Sequence, residues 1–596
     1  MCGIIGYTGR NNVVPYLLKG LRSLEYRGYD SAGIALFSEG EIGFCKCKGR
    51  VSTLEKIVEK KEVCSTTGIG HTRWATHGEP SVVNAHPHLS ENKKFAVVHN
   101  GIIENYEKIK SDLIKKGYSF KSDTDTEVIP NLIDSVYQGD IIKALLECAG
   151  VLQGSFAIAV MSEHCPDSIV CIRRNNPLVL CKGADGMHLS TDVTALLCYS
   201  DTVYKPEENS PVVITPDKIE FYNSEGELTK CKKEKINWAA QQTEKNGYEH
   251  YMLKEIMQQP EAVRDTLEAV SKDAGCISDI LKDISKIHII ACGSAYHVGL
   301  TGKYVIEKLS VIQCECHIAS EFRYSDVPMG DGHLCIIISQ SGETADSLAA
   351  LRKAKQKGAY TLGIVNVKGS SIASESDRVI YTKAGPEIAV ATTKAYSAQL
   401  SVIYFIAALL CENDEKREKL MNELFSLPSL IEGVLHSCDE ECRTISSLFD
   451  KRQSAYFIGR NTDYPSAMEG ALKMKEISYI HCEAYAAGEL KHGTISLIEK
   501  GTVVVAVMTN SAVFSKTYSN VKEVQSRGAK VVFIVKKSDA HLLTEESNVI
   551  VLDDCDDIFS GSLSAIPLQL LSYYTAKAKG CDIDKPRNLA KSVTVE

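Results

Sequence analysis

From about residue 285 the chain repeats one rhythm: a β-branched apolar run, a glycine- or serine-rich turn, then a helical pattern. Ile287–Ala291 leads into Cys292-Gly293-Ser294 and a long helical stretch. Leu334–Ile338 leads into Ser339-Gln340-Ser341-Gly342-Glu343-Thr344, the helix Ala345–Gln356 and a further strand at Tyr360–Val365. Short strands that are apolar throughout need cover on both faces, and alternating helices supply it, so the pattern predicts a parallel, doubly wound sheet. The order then restarts. Ala455–Ile458, the turn Gly459-Arg460-Asn461, the helix Ala467–Ser478 and the strand Thr502–Val507 repeat the earlier half in element order, though not in residue identity. Two α/β subdomains made by duplication are expected.

The first 230 residues follow a different rule. Alternating strand-like runs at Ser168–Arg173, Leu178–Lys182, His188–Ser190 and Pro211–Phe221 are separated by Gly, Asn, Asp and Pro. Helical stretches at Val13–Leu24 and Asn105–Lys116 interrupt them, which implies sheets packed against helices. Lys232–Gln259 is polar with little strand character and reads as a linker into the helix Pro260–Val270. A chain of 596 residues exceeds what one core can serve. The expected division is 1–230, a linker over 231–260, 261–430 and 431–596.

Charge narrows the class of partner. With 67 basic and 76 acidic residues the net charge is −9 and no basic block occurs, which argues against nucleic acid or an anionic membrane surface. The longest apolar run, Val402–Cys411, falls far short of a membrane span. The start lacks the charged and apolar regions of an export signal, and the 21 cysteines are scattered with no Cys-x-x-Cys. A reduced, cytoplasmic protein without a zinc knuckle is expected.

Against that background the second residue, Cys2, stands out. Removal of Met1 would leave its thiol beside a free α-amine, and an amine next to a nucleophile can serve as its general base. Three clusters accompany it. In His71-Thr72-Arg73-Trp74-Ala75-Thr76-His77-Gly78, Arg73 offers a donor fork for a carboxylate and Trp74 a cover for a small site. In His99-Asn100-Gly101 a side-chain amide and the next backbone N–H suit an oxyanion. Asp123-Thr124-Asp125-Thr126-Glu127 offers carboxylates to an ammonium group. Each has a plain alternative: a surface cation–π pair, a turn, a solvated acidic loop. Five histidines between His71 and His99 raise the question of a metal, but no further ligand motif completes such a site and none is expected.

Taken together, Cys2-Gly3-Ile4, Tyr26–Ser31, His71–Gly78, His99–Gly101 and Thr124–Glu127 resemble the glutaminase domain of the N-terminal-nucleophile amidotransferases. The resemblance implies a four-layer αββα fold. It also implies that Cys2 attacks the amide of L-glutamine while its own amine carries the proton. Asn100 and Gly101 would hold the oxyanion. Arg73 and Asp125 would hold the α-carboxylate and α-amine, Thr76, His77 and Gly78 would line the pocket, and Trp74 would gate ammonia.

In the second half, Ser339–Thr344 between strand and helix offers hydroxyls and exposed N–H groups to a phosphate, with no Walker lysine to favour a nucleotide. A serine-rich helix cap is the plain alternative. Glu469, Lys473 and Glu476 share one helical face, which suits proton transfer but equally a solvated ion-pair face. His492, in Glu489–Gly493, is placed by type to protonate a ring oxygen. With Ala391–Ala395, Ala484–Gly493 and the terminal Lys591–Glu596, these segments extend the resemblance over the whole chain, to the isomerising glutamine–fructose-6-phosphate aminotransferases.

That family implies two sugar isomerase subdomains, a homodimer or higher oligomer, and neither metal nor organic cofactor. Ser339, Gln340, Ser341 and Thr344, with Thr392, would hold the phosphosugar. Lys591 would form a Schiff base with C2 of D-fructose 6-phosphate, His492 would open the ring, and Glu476, assisted by Lys473, would move a proton between C1 and C2. A histidine from a neighbouring subunit would approach the sugar. Ser294-Ala295 departs from the family's usual Thr-Ser and loses a hydroxyl, whereas Ala391-Thr392-Thr393 keeps one. Two other readings stay open: a glutaminase serving another acceptor, such as phosphoribosyl pyrophosphate, and a phosphosugar sensor without turnover.

Overall fold

The computed structural model describes residues 2–38, 40–61, 63–235, 245–543 and 545–594. The chain divides into two compact units, 1–242 with 592–596, and 243–591. Part of the expected linker, 236–244, and the last two residues of the tail lie outside the described residues.

The first unit stacks two antiparallel sheets, one of eight strands and one of seven. Strand Gly3–Gly9 sits between Thr67–Arg73 and Gly186–Ser190, with Gly3 opposite Thr72. Phe95–Ile103 pairs with Gly154–Ser162 in the second sheet. Small and β-branched side chains fill the space between the sheets: Ile4 and Ile69 from one, Ala96, Val98, Ala157 and Ala159 from the other. Each outer face is covered by helices. Val14–Leu24 carries Pro15 in its first turn and buries Leu17, Leu21 and Leu24, the stripe that a 3.6-residue period aligns. Tyr106–Lys115, Val128–Val136 and Ile141–Val151 cover the second sheet with Leu113, Ile129, Leu145 and their neighbours. The result is the four-layer αββα architecture.

The second unit holds two five-stranded parallel sheets. In one, the strands are Lys286–Ala291, Gln313–Ile318, His333–Ser339, Tyr360–Val365 and Arg378–Tyr381; in the other, Ser454–Gly459, His481–Ala486, Val503–Met508, Lys530–Lys536 and Val549–Leu552. Both follow the order second, first, third, fourth, fifth, so the duplication legible in element order is a duplication of topology. Lys394–Leu409 and Ser560–Ala578 are buried around nearly their whole circumference. They contribute Ile403, Phe405, Leu563 and Leu570 to one core. Most of the apolar run Val402–Cys411 therefore lies in a core helix, which ends at Leu409, and no described helix is long and apolar enough to cross a membrane.

Four details differ from the sequence-based expectation, the first being that the expected linker 231–260 carries a helix, Tyr251–Met257, whose Met252 and Ile256 are buried in the core. Pro211–Phe221 is not one strand but a hairpin, Val212–Ile214 against Ile219–Tyr222. The polar segment after residue 231 contributes a short strand, Lys233–Lys235, paired with Thr202–Tyr204, because an edge strand needs no apolar face. Residues 430 and 431 lie inside a single 33-residue helix, Asp414–Ser446.

Candidate active site

In the first unit, the pairing of Gly3 with Thr72 brings Cys2 beside the end of the neighbouring strand. The Trp74 N–H donates to Cys2 Sγ at 3.3 Å, and Asn100 Nδ2 donates to the Cys2 carbonyl at 2.7 Å. Burial raises the pKa of the thiol, and the Trp74 hydrogen bond and the Arg73 charge only partly offset it. The thiol is thus held protonated at neutral pH and needs a base to become a nucleophile.

The amide of Asn100 is oriented from behind. His71 Nε2 lies 3.0 Å from the His99 carbonyl and 3.1 Å from Asn100 Oδ1, which makes Nε2 the protonated nitrogen and turns Nδ2 of Asn100 toward Cys2. Burial pushes His71 down to about 3, so the ring is neutral and this arrangement is fixed. The next residue, Gly101, has φ +130, and a Cβ there would stand 1.9 Å from the Ser155 carbonyl oxygen. No other residue fits.

Two buried charges face the same thiol electrostatically, Arg73 lowering its pKa and Asp125 raising it. Arg73 is 3% exposed, donates to the carbonyls of His77, Gly78 and Glu79, and makes no ion pair among the described residues. Asp125 is equally buried, and its Oδ2 accepts the Ile103 N–H at 2.8 Å. A buried cation and a buried anion, each held by neutral partners, fit the carboxylate and ammonium of an amino acid. Trp74 is half-buried and meets Tyr29 edge-on; His77 meets Tyr106 in the same way, and Thr76 is exposed. The remaining histidines are tied into hydrogen bonds rather than gathered around a shared point. His86 stacks on His71 and accepts the His99 N–H, while His88 Nε2 and His99 Nδ1 meet threonine hydroxyls.

In the second unit, Ser339–Thr344 closes on itself at the end of strand His333–Ser339. Ser339 Oγ lies 2.9 Å from Thr344 Oγ1 and accepts the Gly342 N–H at 3.1 Å; Ser341 Oγ accepts the Glu343 N–H. The Gln340 carbonyl accepts from Asn366 N–H. Gly342 has φ +67, and a Cβ would strike Ser370 Oγ at 2.0 Å. Thr344 precedes helix Ala345–Gln356 without a side-chain cap, so the helix N-terminus keeps donors for an anion.

Lys591 pairs with Glu387, their side chains 5% and 0% exposed. Glu387 also accepts from the Thr392 hydroxyl and from the N–H groups of Thr393 and Ala395. Burial alone would raise its pKa, but the Lys591 charge and these hydrogen bonds hold it down to about 2. Neighbouring Glu255 goes the other way: burial and the Glu387 charge push it up to about 8. It accepts the Ile388 N–H at 2.5 Å. Lys473 lies 2.6 Å from Glu476 and 3.5 Å from Glu469, and at 1% exposure it belongs to no solvated face. Glu469 is further held by Ser294 Oγ at 2.9 Å and His297 Nδ1 at 2.8 Å. His492 is exposed and makes no hydrogen bond or ion pair among the described residues.

Sequence reasoning missed Glu387, Glu255, His297 and Thr191. Glu387 left one trace, a lone charge in the otherwise uncharged run Ala384–Thr393. Thr191, which accepts from Ile4 N–H and from Asn100, left none.

Comparison with known proteins matches segments of the chain to families. Residues 71–198 match a glutamine amidotransferase domain, and residues 280–409 and 447–578 each match an SIS domain. A curated relative from Clostridium acetobutylicum, named glutamine–fructose-6-phosphate aminotransferase (isomerizing), is 48% identical over 609 residues, with both chains covered completely. The chain belongs to this aminotransferase family. A relative of the same name from Clostridium tetani is 47% identical, again over the whole of both chains. Among solved structures, the C-terminal domain of glucosamine-fructose-6-phosphate aminotransferase from Francisella tularensis is 43% identical with a TM-score of 0.55. It covers 58% of this chain and is itself covered completely. Family membership thus accounts for both halves: one amidotransferase domain followed by a duplicated SIS fold.

Proposed function

We propose that the protein transfers the amide nitrogen of L-glutamine to D-fructose 6-phosphate and isomerises the product to D-glucosamine 6-phosphate, releasing L-glutamate, the first step of hexosamine synthesis. One observation carries this: a thiol and an orienting amide lie beside an unpaired buried cation and anion, in a chain whose other unit buries an ion-paired lysine.

Once Met1 is removed, the α-amine of Cys2 takes the thiol proton as Sγ attacks the glutamine amide carbon. Arg73 and Asp125 hold the two charged ends of the amino acid, with Thr76, His77 and Gly78 around it. Asn100 Nδ2 and Gly101 N–H stabilise the oxyanion. The 3.3 Å bond from Asn100 to Thr191 is the long one of its pair and is the one to be redirected. The amine then returns the proton to departing ammonia, and water hydrolyses the thioester.

Ser339, Gln340, Ser341 and Thr344 hold the phosphate, with Thr392 beside the sugar. Lys591 must give up a proton and its pairing with Glu387 before Nζ adds to the C2 carbonyl, expelling water to form the imine. Ammonia displaces the lysine, and Glu476 takes a proton from C1 and returns it to C2, with Lys473 holding its carboxylate. A homodimer is part of the proposal: His492, assigned to ring opening, is exposed on its own chain, as a residue serving a second copy would be. A cytoplasmic setting agrees with 21 cysteines, all free.

Product analysis after incubation with both substrates tests the proposal. Stoichiometric glutamate and glucosamine 6-phosphate are expected. Glutamate formed with no amino sugar would point to another acceptor, and absence of both would point to a sensor.

A further inference from the structure

In the first parallel sheet, three side chains that play no part in this chemistry converge. His288 lies on strand Lys286–Ala291, and Glu315 and His317 lie on the adjacent edge strand Gln313–Ile318, with His288 opposite Glu315 in register. His288 Nδ1 is 3.2 Å from His317 Nε2 and 3.6 Å from Glu315 Oε2, and the last two atoms are 3.4 Å apart. A triangle with these sides lies on a circle of radius about 2.0 Å, which is the bond length of zinc to imidazole nitrogen or carboxylate oxygen. The three atoms already stand where one ion could touch all of them.

The surrounding groups fix each ligand from behind. His288 Nε2 lies 3.2 Å from His333 Nδ1, so a proton on Nε2 leaves the lone pair of Nδ1 facing the triangle. Lys286 Nζ holds the other oxygen of Glu315 at 2.6 Å, orienting Oε2 inward. Burial is graded, with side-chain exposures of 0% for His288, 20% for His317 and 35% for Glu315. The deep ligand is rigid and the outer two are reachable from water, which leaves both an entry path and room for a water ligand.

We propose that His288 Nδ1, His317 Nε2 and Glu315 Oε2 form a binding site for one divalent transition ion of the zinc class, completed by water. Two imidazoles and one carboxylate suit Zn²⁺ or Co²⁺; Mg²⁺ and Ca²⁺ call for oxygen ligands. The ion ties an edge strand, which has a neighbour on one side only, to the centre of the sheet. In register, His288 and Glu315 are level with Cys335 and His317 with Ile337, about 13 Å and about 7 Å along the strands from Ser339, and His317 lies two strands away from it. The role proposed is structural, a link between neighbouring strands. It is also distinct from the histidines between His71 and His99, which the sequence made the more conspicuous candidates.

The competing arrangement is metal-free, a hydrogen-bonded chain from His317 through His288 to His333. Titration of the full chain with Co²⁺, followed by equilibrium dialysis and visible absorption, separates the two. His317→Asn and Glu315→Gln alter the two partly exposed ligands, and if one fails to fold the other carries the test. The expected result is one Co²⁺ per chain with ligand-field bands, lost in His317→Asn and weakened at least about ten-fold in Glu315→Gln. Thermal unfolding of the wild type should rise with Co²⁺ and that of His317→Asn should not. No bound ion at millimolar Co²⁺ would overturn the proposal. So would equal stoichiometry and affinity in the variants, or a thiolate charge-transfer band accounting for all the bound metal.

Discussion

The two units solve the burial of polar chemistry in opposite ways. Around Cys2 the network is largely neutral: His71, His86, His88 and His99 are all pushed below the usual histidine range by burial, and Asn100 is oriented by an uncharged ring. Around Lys591 and Lys473 the network is ionic, with each buried ammonium paired to a buried carboxylate. Among the described residues the first site keeps two charges without an ion-pair partner, Arg73 and Asp125, as the proposed binding of an amino acid requires. The second matches its charges internally, so that in the proposed reaction a phosphosugar competes with an existing pair.

The largest effect that tests this contrast is Cys2→Ala. It should lower glutamine hydrolysis at least about 10⁴-fold while leaving fructose 6-phosphate binding unchanged by calorimetry. Coupled loss of both would mean that the two sites do not act separately. Next comes Glu387→Gln, which leaves Lys591 buried without its partner. A loss of about 3–5 kcal/mol in urea unfolding is expected, because an uncompensated buried charge costs more than the pair contributed. The double variant Glu387→Gln with Lys591→Met should recover most of that loss, and an additive double variant would show the pair to be energetically silent.

A smaller effect is expected at Asn100→Ala, about 10²–10³ in kcat for glutamine hydrolysis with little change in KM, the signature of a donor that acts on the oxyanion. Smallest is the response to acid. Histidines held below 6.5 bind protons more readily when unfolded, so stability of the first unit should decline as the pH falls below about 6.5 and toward the value near 3 for His71. Glu387, held at about 2, retains its contribution down to about pH 4.5 and loses it only below that. Hydrogen exchange, corrected for its intrinsic pH dependence, should show protection around residues 95–103 failing at higher pH than protection around 387–395. The reverse order would break the comparison.

Much of the fold was legible because periodicity carries it. Helix Ala345–Gln356 and strand Tyr360–Val365 lie where the apolar pattern puts them, and duplication followed from element order alone. The hairpin within Pro211–Phe221 reads in sequence as one strand although Pro216-Asp217 marks its turn, Thr215–Lys218, because the apolar run on each side of that turn is short. In the sites, residues marked by motif were visible: Cys2, Arg73, Asn100 and Ser339–Thr344. What local spacing hides is a partner brought in from far along the chain. Glu387 reaches Lys591 across 204 positions and Thr191 reaches Asn100 across 91, and neither distance leaves a pattern in sequence. The same holds for His288 and His333, 45 positions apart, which meet only when the strands that carry them pair with each other.

The proposed reaction turns on one nitrogen atom. Incubating the protein with glutamine labelled with ¹⁵N at the amide, together with fructose 6-phosphate and unlabelled ammonium in the buffer, follows that atom to the product. Glucosamine 6-phosphate carrying ¹⁵N at its C2 amine, alongside unlabelled glutamate, is the predicted result. An amino sugar drawing its nitrogen from the buffer, or labelled ammonia accumulating with no amino sugar, would contradict it.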